Sequence, residues 1–320
     1  MKKVSFIIPH KGREEFLQQT VASLFALDFD HQQIEVVVVT QNEQLTSLVE
    51  FEQQAIDLTI LYQPSNITIS ALRNHGAKHA QGQYLAFLDA DVALSANWLT
   101  AMLNLLESKK ERLLVSAMQI NGEAPPPLEQ IRTVLSNAEI DCNVNFLPGR
   151  NLLLARNTFD QVQGFPEHLV TCEDYYFTDK VHELGELYYS SDATYVHIGE
   201  DKDYSQMYHK EIWRGQSNLQ SIKGRSIPLR EWPSFLIPIG MLGLSLLSII
   251  FLLLGQFSLA LTSVLLTLFP VSLYSLRLFS IAKKQIKLTY ILKFYAMYFP
   301  ARAIGTVAGI FKSITIKEAK

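Results

Sequence analysis

The sequence has little of what marks several common classes of protein. Two cysteines in 320 residues, Cys142 and Cys172, stand far apart without a Cys-x-x-Cys pairing. That argues against a disulfide framework or a zinc site and for a reducing compartment. A net charge of −3 and the lack of a basic stripe leave nothing to neutralise a phosphate backbone, so no nucleic acid is expected as a partner. No Gly-x-Gly-x-x-Gly follows the first apolar segment. Pro9-His10-Lys11-Gly12-Arg13 stands there instead, which argues against a nicotinamide-dependent oxidoreductase. Met1 to Pro9 carries two lysines and a short apolar run, but proline ends it before a signal-peptide core forms, so the front of the chain is expected in the cytoplasm.

Long uncharged runs are present near the other end. Ser234 to Leu254 carries no charge, and at about 1.5 Å per residue a helix of that length spans roughly the 30 Å hydrocarbon core of a bilayer. Gly255-Gln256 interrupts, and Phe257 to Leu276 is a second uncharged run containing Pro270, which a packed membrane helix tolerates as a kink. The spacing predicts a transmembrane hairpin over about 234–254 and 257–277. Lys223, Arg225 and Arg230 precede it, and Arg277, Lys283, Lys284 and Lys287 follow it. By the positive-inside rule both ends are expected in the cytoplasm, giving a multi-pass protein of the plasma (inner) membrane. A third apolar segment, about 288–311, is broken by Lys293, Pro300, Arg302 and Gly305, and is expected in the headgroup plane rather than across it.

The first two thirds alternate between strands and helices. Apolar runs at Val4 to Ile8, Ile34 to Val39, Leu58 to Tyr62, Tyr84 to Leu88 and Leu113 to Ile120 predict strands. Between them Glu14 to Leu27, Leu45 to Ala55, Ser70 to Ala80 and Ala96 to Ser108 predict helices, the last capped by Ser95. Alternation of this kind implies an α/β fold with a mainly parallel sheet whose ligands lie beyond the carboxyl ends of the strands. Pro9, Thr40, Gln63 and Asp89 are therefore expected on one edge. After the proline-rich loop 123–127 the alternation is less regular. Asn151 to Ala155 reads as a strand, 157–162 as a short helix, and 187–189 with 194–198 as a strand pair ending near His197.

The run Tyr84 to Leu88 is apolar on every residue and stops at Asp89-Ala90-Asp91. In an extended chain residues i and i+2 share a side, so both carboxylates are expected in one crevice. They repel unless a cation relieves them. A divalent metal, Mn²⁺ or Mg²⁺, also bound to substrate phosphates, would do so. The plainer alternative is that Asp89 caps the next helix and Asp91 is solvated. Further on, Thr171-Cys172-Glu173-Asp174 leads into a helix to about Leu184 with Thr171 as N-cap, which puts both acids in the first turn. There Asp174 is available as a base, or both acids simply complement the helix dipole.

Taken together these segments resemble a membrane-anchored family-2 glycosyltransferase with the GT-A nucleotide-sugar fold. Val4-Ser5-Phe6-Ile7-Ile8-Pro9 resembles the opening strand. Asn66 with Ala71-Leu72-Arg73-Asn74-His75-Gly76 resembles the Asn-x-Gly…Ala-Arg-Asn-x-Gly signature, and Leu88-Asp89-Ala90-Asp91 the Asp-x-Asp motif. Gly164-Phe165-Pro166 is similar to the acceptor-side loop, Glu173-Asp174 to the pair that holds the base, and Val196-His197-Ile198-Gly199 to a late metal-binding histidine. Trp213-Arg214-Gly215-Gln216 sits where a basic segment faces the diphosphate.

The resemblance implies a glycosyltransferase domain over residues 1–225, a membrane region over 226–320, and inverting transfer of a sugar from a nucleoside-diphosphate sugar, a UDP-sugar by expectation. It implies Asp174 as catalytic base, Asp91, Asp89 and His197 as metal ligands, and Pro9, Lys11, Gln41, Asn66, Arg73, Asp89 and Arg214 as the donor-binding set. Membrane attachment points to a lipid-linked acceptor for a surface polysaccharide or glycolipid, with membrane lipids as partners. Three departures stand out. The acid that reads the nucleobase at the second strand's end is replaced by Thr40-Gln41-Asn42, Thr68 replaces the glycine of Asn-x-Gly, and the Gln-x-x-Arg-Trp signature of processive polymerases is absent. The missing acid leaves a second reading, a membrane scaffold that keeps the fold without catalysis.

Overall fold

Strands that read as continuous β-branched runs form the middle of the molecule, because only a sheet covered on both faces can bury every residue of such a run. The structure is a computed structural model that describes residues 3–51, 56–216, 229 and 232–318. Its strands in chain order are β1 (Val4–His10), β2 (Ile34–Thr40), β3 (Asp57–Tyr62), β4 (Tyr84–Leu88), β5 (Val92–Leu94), β6 (Arg112–Ile120), β7 (Cys142–Val144), β8 (Asn151–Ala155) and β9 (Glu186–His197). The helices are α1 (Glu14–Phe25), α2 (Ile69–His79), α3 (Trp98–Glu107), α4 (Pro127–Ser136), α5 (Arg156–Gln161), α6 (Glu173–His182), α7 (Tyr204–Gly215), α8 (Trp232–Leu253), α9 (Phe257–Ile281) and α10 (Leu288–Glu318).

The chain divides into two compact units, residues 1–123 with 136–200, and residues 124–135 with 201–320. In the first, the sheet runs in the order β3-β2-β1-β4-β8-β6-β9-β5, with β7 paired to β9. β3, β2, β1 and β4 are parallel, β8 is antiparallel to both β4 and β6, and β9 is parallel to β6. The sheet is thus mixed but mostly parallel. Alternate residues of β1 and β2 feed two cores. Phe6, Ile8, Val36 and Val38 meet Leu17, Val21 and Leu24 of α1 and Trp98 and Met102 of α3. Ile7, Val37, Val39 and Phe87 meet Leu72 and Ala77 of α2 and Phe177 and Val181 of α6. α2 lies so close to the sheet that a Cβ at Gly76 would stand 2.6 Å from a methyl of Ile7.

Several expectations shift. The predicted strand pair at 187–198 is one continuous strand, β9. Of the helix expected over 45–55 the described part holds a 3-10 turn, Val49–Phe51, while residues 52–55 lie outside the described residues. So do Lys223, Arg225 and Arg230. Helices α4 and α7 are not among the expected elements, although Leu128, Ile131 and Leu135 in α4 and Tyr204, Met207 and Ile212 in α7 recur at helical spacing. The segment expected over 288–311 is one helix, α10, with Pro300 inside it. Among the described residues two helices, α8 and α9, are long and apolar enough to cross a membrane. Their outward residues, such as Leu253 and Phe269, are exposed, a surface suited to hydrocarbon rather than water.

Packing does not divide the chain at residue 225, where the sequence placed the boundary. The second unit includes α7 and most of α4, held by apolar contact and charge. Leu128, Ile131 and Met207 share a core with Ile291 and Phe294 of α10. A Cβ on Gly215 would stand 2.9 Å from the Cα of Gly305, so α7 and α10 touch backbone to backbone. Beside that crossing the fully buried Glu211 receives Arg132 at 2.6 Å, Arg214 at 2.6 Å and Arg302 at 2.7 Å. Burial alone would raise the Glu211 carboxyl, but the charges of Arg302, Arg132 and Arg214 outweigh it and hold its pKa down to about 2. With a folded value below the ordinary 4.5, this contribution is complete above that pH and lost as pH falls toward 2. It amounts to about 3 kcal/mol. Glu211→Gln is expected to lower stability near neutral pH by about that amount, and to flatten the acid limb of the curve. Thermal unfolding in detergent at stepped pH measures both.

Candidate functional site

The loops at the carboxyl edge of β1, β2 and β3 are tied to one another by side chains. Lys11 donates from Nζ to the Ser65 carbonyl at 3.0 Å, and Gln41 donates from Nε2 to the carbonyls of Pro64 and Ile67 at 2.8 and 3.0 Å. Asn42 accepts from the Gly12 amide at 2.7 Å and returns a bond to the Gly12 carbonyl at 2.9 Å. Gly12 takes φ +92, which the tight return after β1 requires. The structure therefore brings Lys11, Gln41 and the exposed Asn66 into one loop cluster, whereas Pro9 is buried within β1 opposite Val39. It also accounts for the replacement of the expected nucleobase acid: the Gln41 amide holds the 64–67 loop, and its carbonyl oxygen is left as an acceptor.

Asp89 and Asp91 do not share an extended strand. β4 ends at Leu88 and β5 begins at Val92, with a turn between them. The two carboxylates are consequently directed by different partners. The Asp89 amide donates to the Arg150 carbonyl at 3.1 Å, continuing the pairing of β4 with β8. Its carboxylate meets Arg73 at 2.8 Å. Asp91 accepts the Ile198 amide at its carbonyl, 2.8 Å, because β5 pairs antiparallel with the end of β9. That register sets His197 Nε2 3.3 Å from Asp91 Oδ1. Gly199 lies against the same carboxylate with no room for a Cβ. Arg13 approaches Asp91 at 3.7 Å from the loop after β1.

Charge reinforces this division. Burial pushes the Asp89 carboxyl above the usual range, and the pull of Arg73 does not fully offset burial and the neighbouring Asp91. For Asp91 the balance reverses: burial would raise it, but His197, Arg13 and Arg150 hold it below the ordinary value. At His197 burial and the Arg150 cation oppose a charged ring, yet hydrogen bonds to Asp91 and Glu200 outweigh them and its pKa rises.

The donor set fits a hard divalent cation. Glu200 meets His197 Nδ1 at 3.0 Å, so the neutral ring can donate from Nδ1 and offer Nε2 beside the Asp91 oxygen, as carboxylate-backed metal-binding histidines do. Among the described residues no group of three or more His, Cys, Asp or Glu side chains is placed to hold an ion. Asp89, expected in the same ligand set, gives one carboxylate oxygen to Arg73 at 2.8 Å. Two protein ligands suit an ion that keeps waters and takes its remaining oxygens from a substrate's phosphates.

Arg73 is 1% exposed. It joins Asp89 to Glu173 at 2.9 Å and the Gly149 carbonyl at 3.3 Å, and lies over the Phe165 ring at 5.0 Å. It is a buried tie between α2, the end of β4 and α6, not a cation presented to a diphosphate. Gly164-Phe165 belongs to the core as well, since Phe165 stacks on Phe177 at 3.9 Å. The N-cap of α6 is Cys172, not Thr171, and it takes φ 64, left-handed for a residue with a side chain. That turn aims Asp174, whose Oδ2 accepts the Gly149 amide at 3.3 Å. Arg214 belongs to the second unit and its partner there is Glu211.

Sequence reasoning missed Arg150 and Glu200. Arg150 meets Gln119 at 2.6 Å and Glu200 at 3.3 Å, a buried polar layer behind His197. Their positions, just before β8 and three residues past His197, mark them as edge residues; their pairing is visible only in three dimensions. Arg73→Met, which leaves Asp89 and Glu173 without their shared cation, is expected to cost about 3–5 kcal/mol in thermal unfolding.

A sequence model described as glycosyl transferase family 2 matches residues 5–164, half of the chain. An uncharacterized glycosyltransferase of Haemophilus influenzae is 28% identical over 226 residues, 67% of this chain and 86% of its own length. The poly(ribitol-phosphate) beta-N-acetylglucosaminyltransferase TarS of Staphylococcus aureus is 26% identical over 191 residues, 57% of this chain but 33% of TarS. Among solved structures, the mannosyltransferase PcManGT of Pyrobaculum calidifontis with GDP-Man and Mn²⁺ superposes with a TM-score of 0.62 at 15% identity, covering 95% of this chain and 87% of that one. That likeness shows the GT-A fold alone. With half its length matched by that model, the chain belongs to glycosyl transferase family 2.

Proposed function

We propose that this protein is an inverting, metal-dependent transferase that moves a sugar from a nucleoside-diphosphate sugar, a UDP-sugar, to a lipid-linked acceptor. The observation that carries the reading is the contact of Asp91 with His197 beyond the sheet's carboxyl edge, in the same unit that directs Asp174 from the first turn of α6. The loop cluster of Lys11, Gln41 and Asn66, set at the end of β1 beyond Pro9, would take the nucleoside. Asp91 and His197 would hold the divalent cation, Mn²⁺ or Mg²⁺, which when bound supplies positive charge for the leaving diphosphate.

Asp174 takes the proton from the acceptor hydroxyl as its oxygen bonds to the anomeric carbon and the bond from that carbon to the diphosphate breaks. Arg73 fixes Asp89 and Glu173, and the Gly149 amide steadies Asp174, so the base needs little reorganisation at the moment of transfer. Asp89 assists from beside the donor.

The apolar helices α8 and α9 support attachment to a membrane as a multi-pass hairpin. The cations Lys283, Lys284 and Lys287 after it, with Arg277 near the end of α9, support a catalytic domain on the cytoplasmic side of the inner membrane. There a lipid-linked acceptor presents its polar end, and the product enters a surface polysaccharide or glycolipid.

Two variants separate binding from chemistry. In a thermal-shift panel of UDP- and GDP-sugars, one donor is expected to stabilise the protein in the presence of Mn²⁺, and Asp91→Ala abolishes that shift. Asp174→Asn keeps the shift but slows transfer by roughly a hundredfold or more. Nucleotide binding indifferent to both Mn²⁺ and Asp91→Ala contradicts the reading.

A further inference from the structure

We propose, on the basis of the transferase reading above, that Arg13 binds the diphosphate of the donor and makes nucleotide and divalent cation bind cooperatively. An anionic leaving group beside Asp91 calls for a cation from the protein, and the arginines singled out from sequence are engaged elsewhere. Arg73 is 1% exposed and shared by Asp89 and Glu173. Arg214 belongs to the second unit, paired with Glu211. Arg150 gives its Nη1 to Gln119 and Glu200. Arg13 differs: its side chain is 65% exposed, and Nη2 stands 3.7 Å from Asp91 Oδ2.

The backbone that carries Arg13 is fixed on both sides. Gly12 exchanges bonds of 2.7 and 2.9 Å with the Asn42 side chain, and Glu14 Oε2 accepts the amides of Thr46 and Ser47 at 3.0 and 3.1 Å. Arg13 is the N-cap of α1, yet its side chain makes no capping bond. Its guanidinium lies instead over the Phe16 ring, 4.3 Å from the centroid. A rooted backbone and an aromatic shelf thus present a solvent-facing guanidinium at the carboxylate proposed to hold the ion. An exposed pair with a carboxylate at this distance contributes little, whereas the planar fork of arginine meets two phosphate oxygens at once. Phosphate is therefore the stronger partner.

The same position creates a conflict of charge. Asp91 Oδ1 faces His197 Nε2 at 3.3 Å, and Oδ2 faces Arg13. A dication taken up by Asp91 and His197 meets a like charge at the other oxygen of the same carboxylate, in a partly buried place where solvent screens weakly. A diphosphate shared between ion and guanidinium relieves that repulsion. Ion and nucleotide then raise each other's affinity, by the same factor in both directions, and Arg13 is a source of the coupling.

The test uses the full chain in detergent, as wild type, Arg13→Gln and Arg13→Lys. Mn²⁺ alone is titrated through the EPR signal of the free ion, and UDP and GDP by calorimetry at saturating Mn²⁺. Arg13→Gln is expected to tighten Mn²⁺ binding by about threefold or more, and to weaken the bound nucleotide by roughly tenfold. Its unfolding temperature stays that of wild type, because the side chain is exposed. Arg13→Lys keeps the charge but not the fork, so Mn²⁺ binds as in wild type while the nucleotide weakens by about threefold. Uridine and guanosine, which lack the diphosphate, do not distinguish wild type from Arg13→Gln. Mn²⁺ binding that is unchanged or weaker in Arg13→Gln, nucleotide affinity that does not move, or an equal loss for the nucleosides overturns the proposal. Wild type keeps the two readings apart. If it binds neither UDP nor GDP with Mn²⁺, the transferase reading falls and the role of Arg13 with it, whereas ion and nucleotide binding indifferent to Arg13→Gln sinks the role of Arg13 alone.

Discussion

One buried guanidinium sets the geometry of the candidate site. Arg73 arises in the interior of α2, is almost sealed from water, and holds Asp89 on one side and Glu173 on the other. Burying a cation is tolerable only with anionic partners in good geometry, and here the partners come from the end of β4 and the start of α6, distant in sequence. With one oxygen of Asp89 held by Arg73, Asp91 is the carboxylate that pairs with His197. Fixing Glu173 sets the turn from which Asp174 projects. The two sides of the proposed chemistry, cation and base, thus depend on one side chain that takes no direct part in either.

The sheet explains why these groups meet. Parallel order β3-β2-β1-β4 collects the loops after four strands at one edge, and the reversal at β8 returns the chain so that Arg150 and Gly149 flank Asp89 and Asp174. β9 then runs the full width and delivers His197 opposite Val92. Each carboxylate therefore has a backbone address as well as a cationic partner, and the polar layer of Gln119, Arg150 and Glu200 behind His197 is the buried support that a precise site requires. In the second unit the same economy holds in a different form, with one glutamate binding arginines from α4, α7 and α10.

Much of this was legible in the sequence. The runs at Val4 to Ile8, Ile34 to Val39 and Tyr84 to Leu88 are apolar without alternation, and they became the central strands. The uncharged stretches became α8 and α9 with ends shifted by a few residues. The Asp-x-Asp and Glu-Asp motifs were visible as residues, but their partners were not: the two aspartates are neighbours as extended alternation suggested, yet a turn between β4 and β5, not a shared strand, gives one to Arg73 and the other to His197. Arg73 looked like a ligand for phosphate because sequence gives its charge and not its burial. α7 has an apolar period through Tyr204, Met207 and Ile212 that the sequence reading passed over, while its charge pairs and its glycine-to-glycine crossing with α10 show only in three dimensions.

The central claim is that Asp91 and His197 together hold a divalent ion against the diphosphate of the donor. Anomalous diffraction from crystals grown with Mn²⁺ and UDP tests it most directly. The account predicts a manganese peak bonded to Asp91 Oδ1 and His197 Nε2, with Asp89 still on Arg73. A peak held by other residues, or UDP bound at the sheet edge with no manganese beside Asp91, would contradict it.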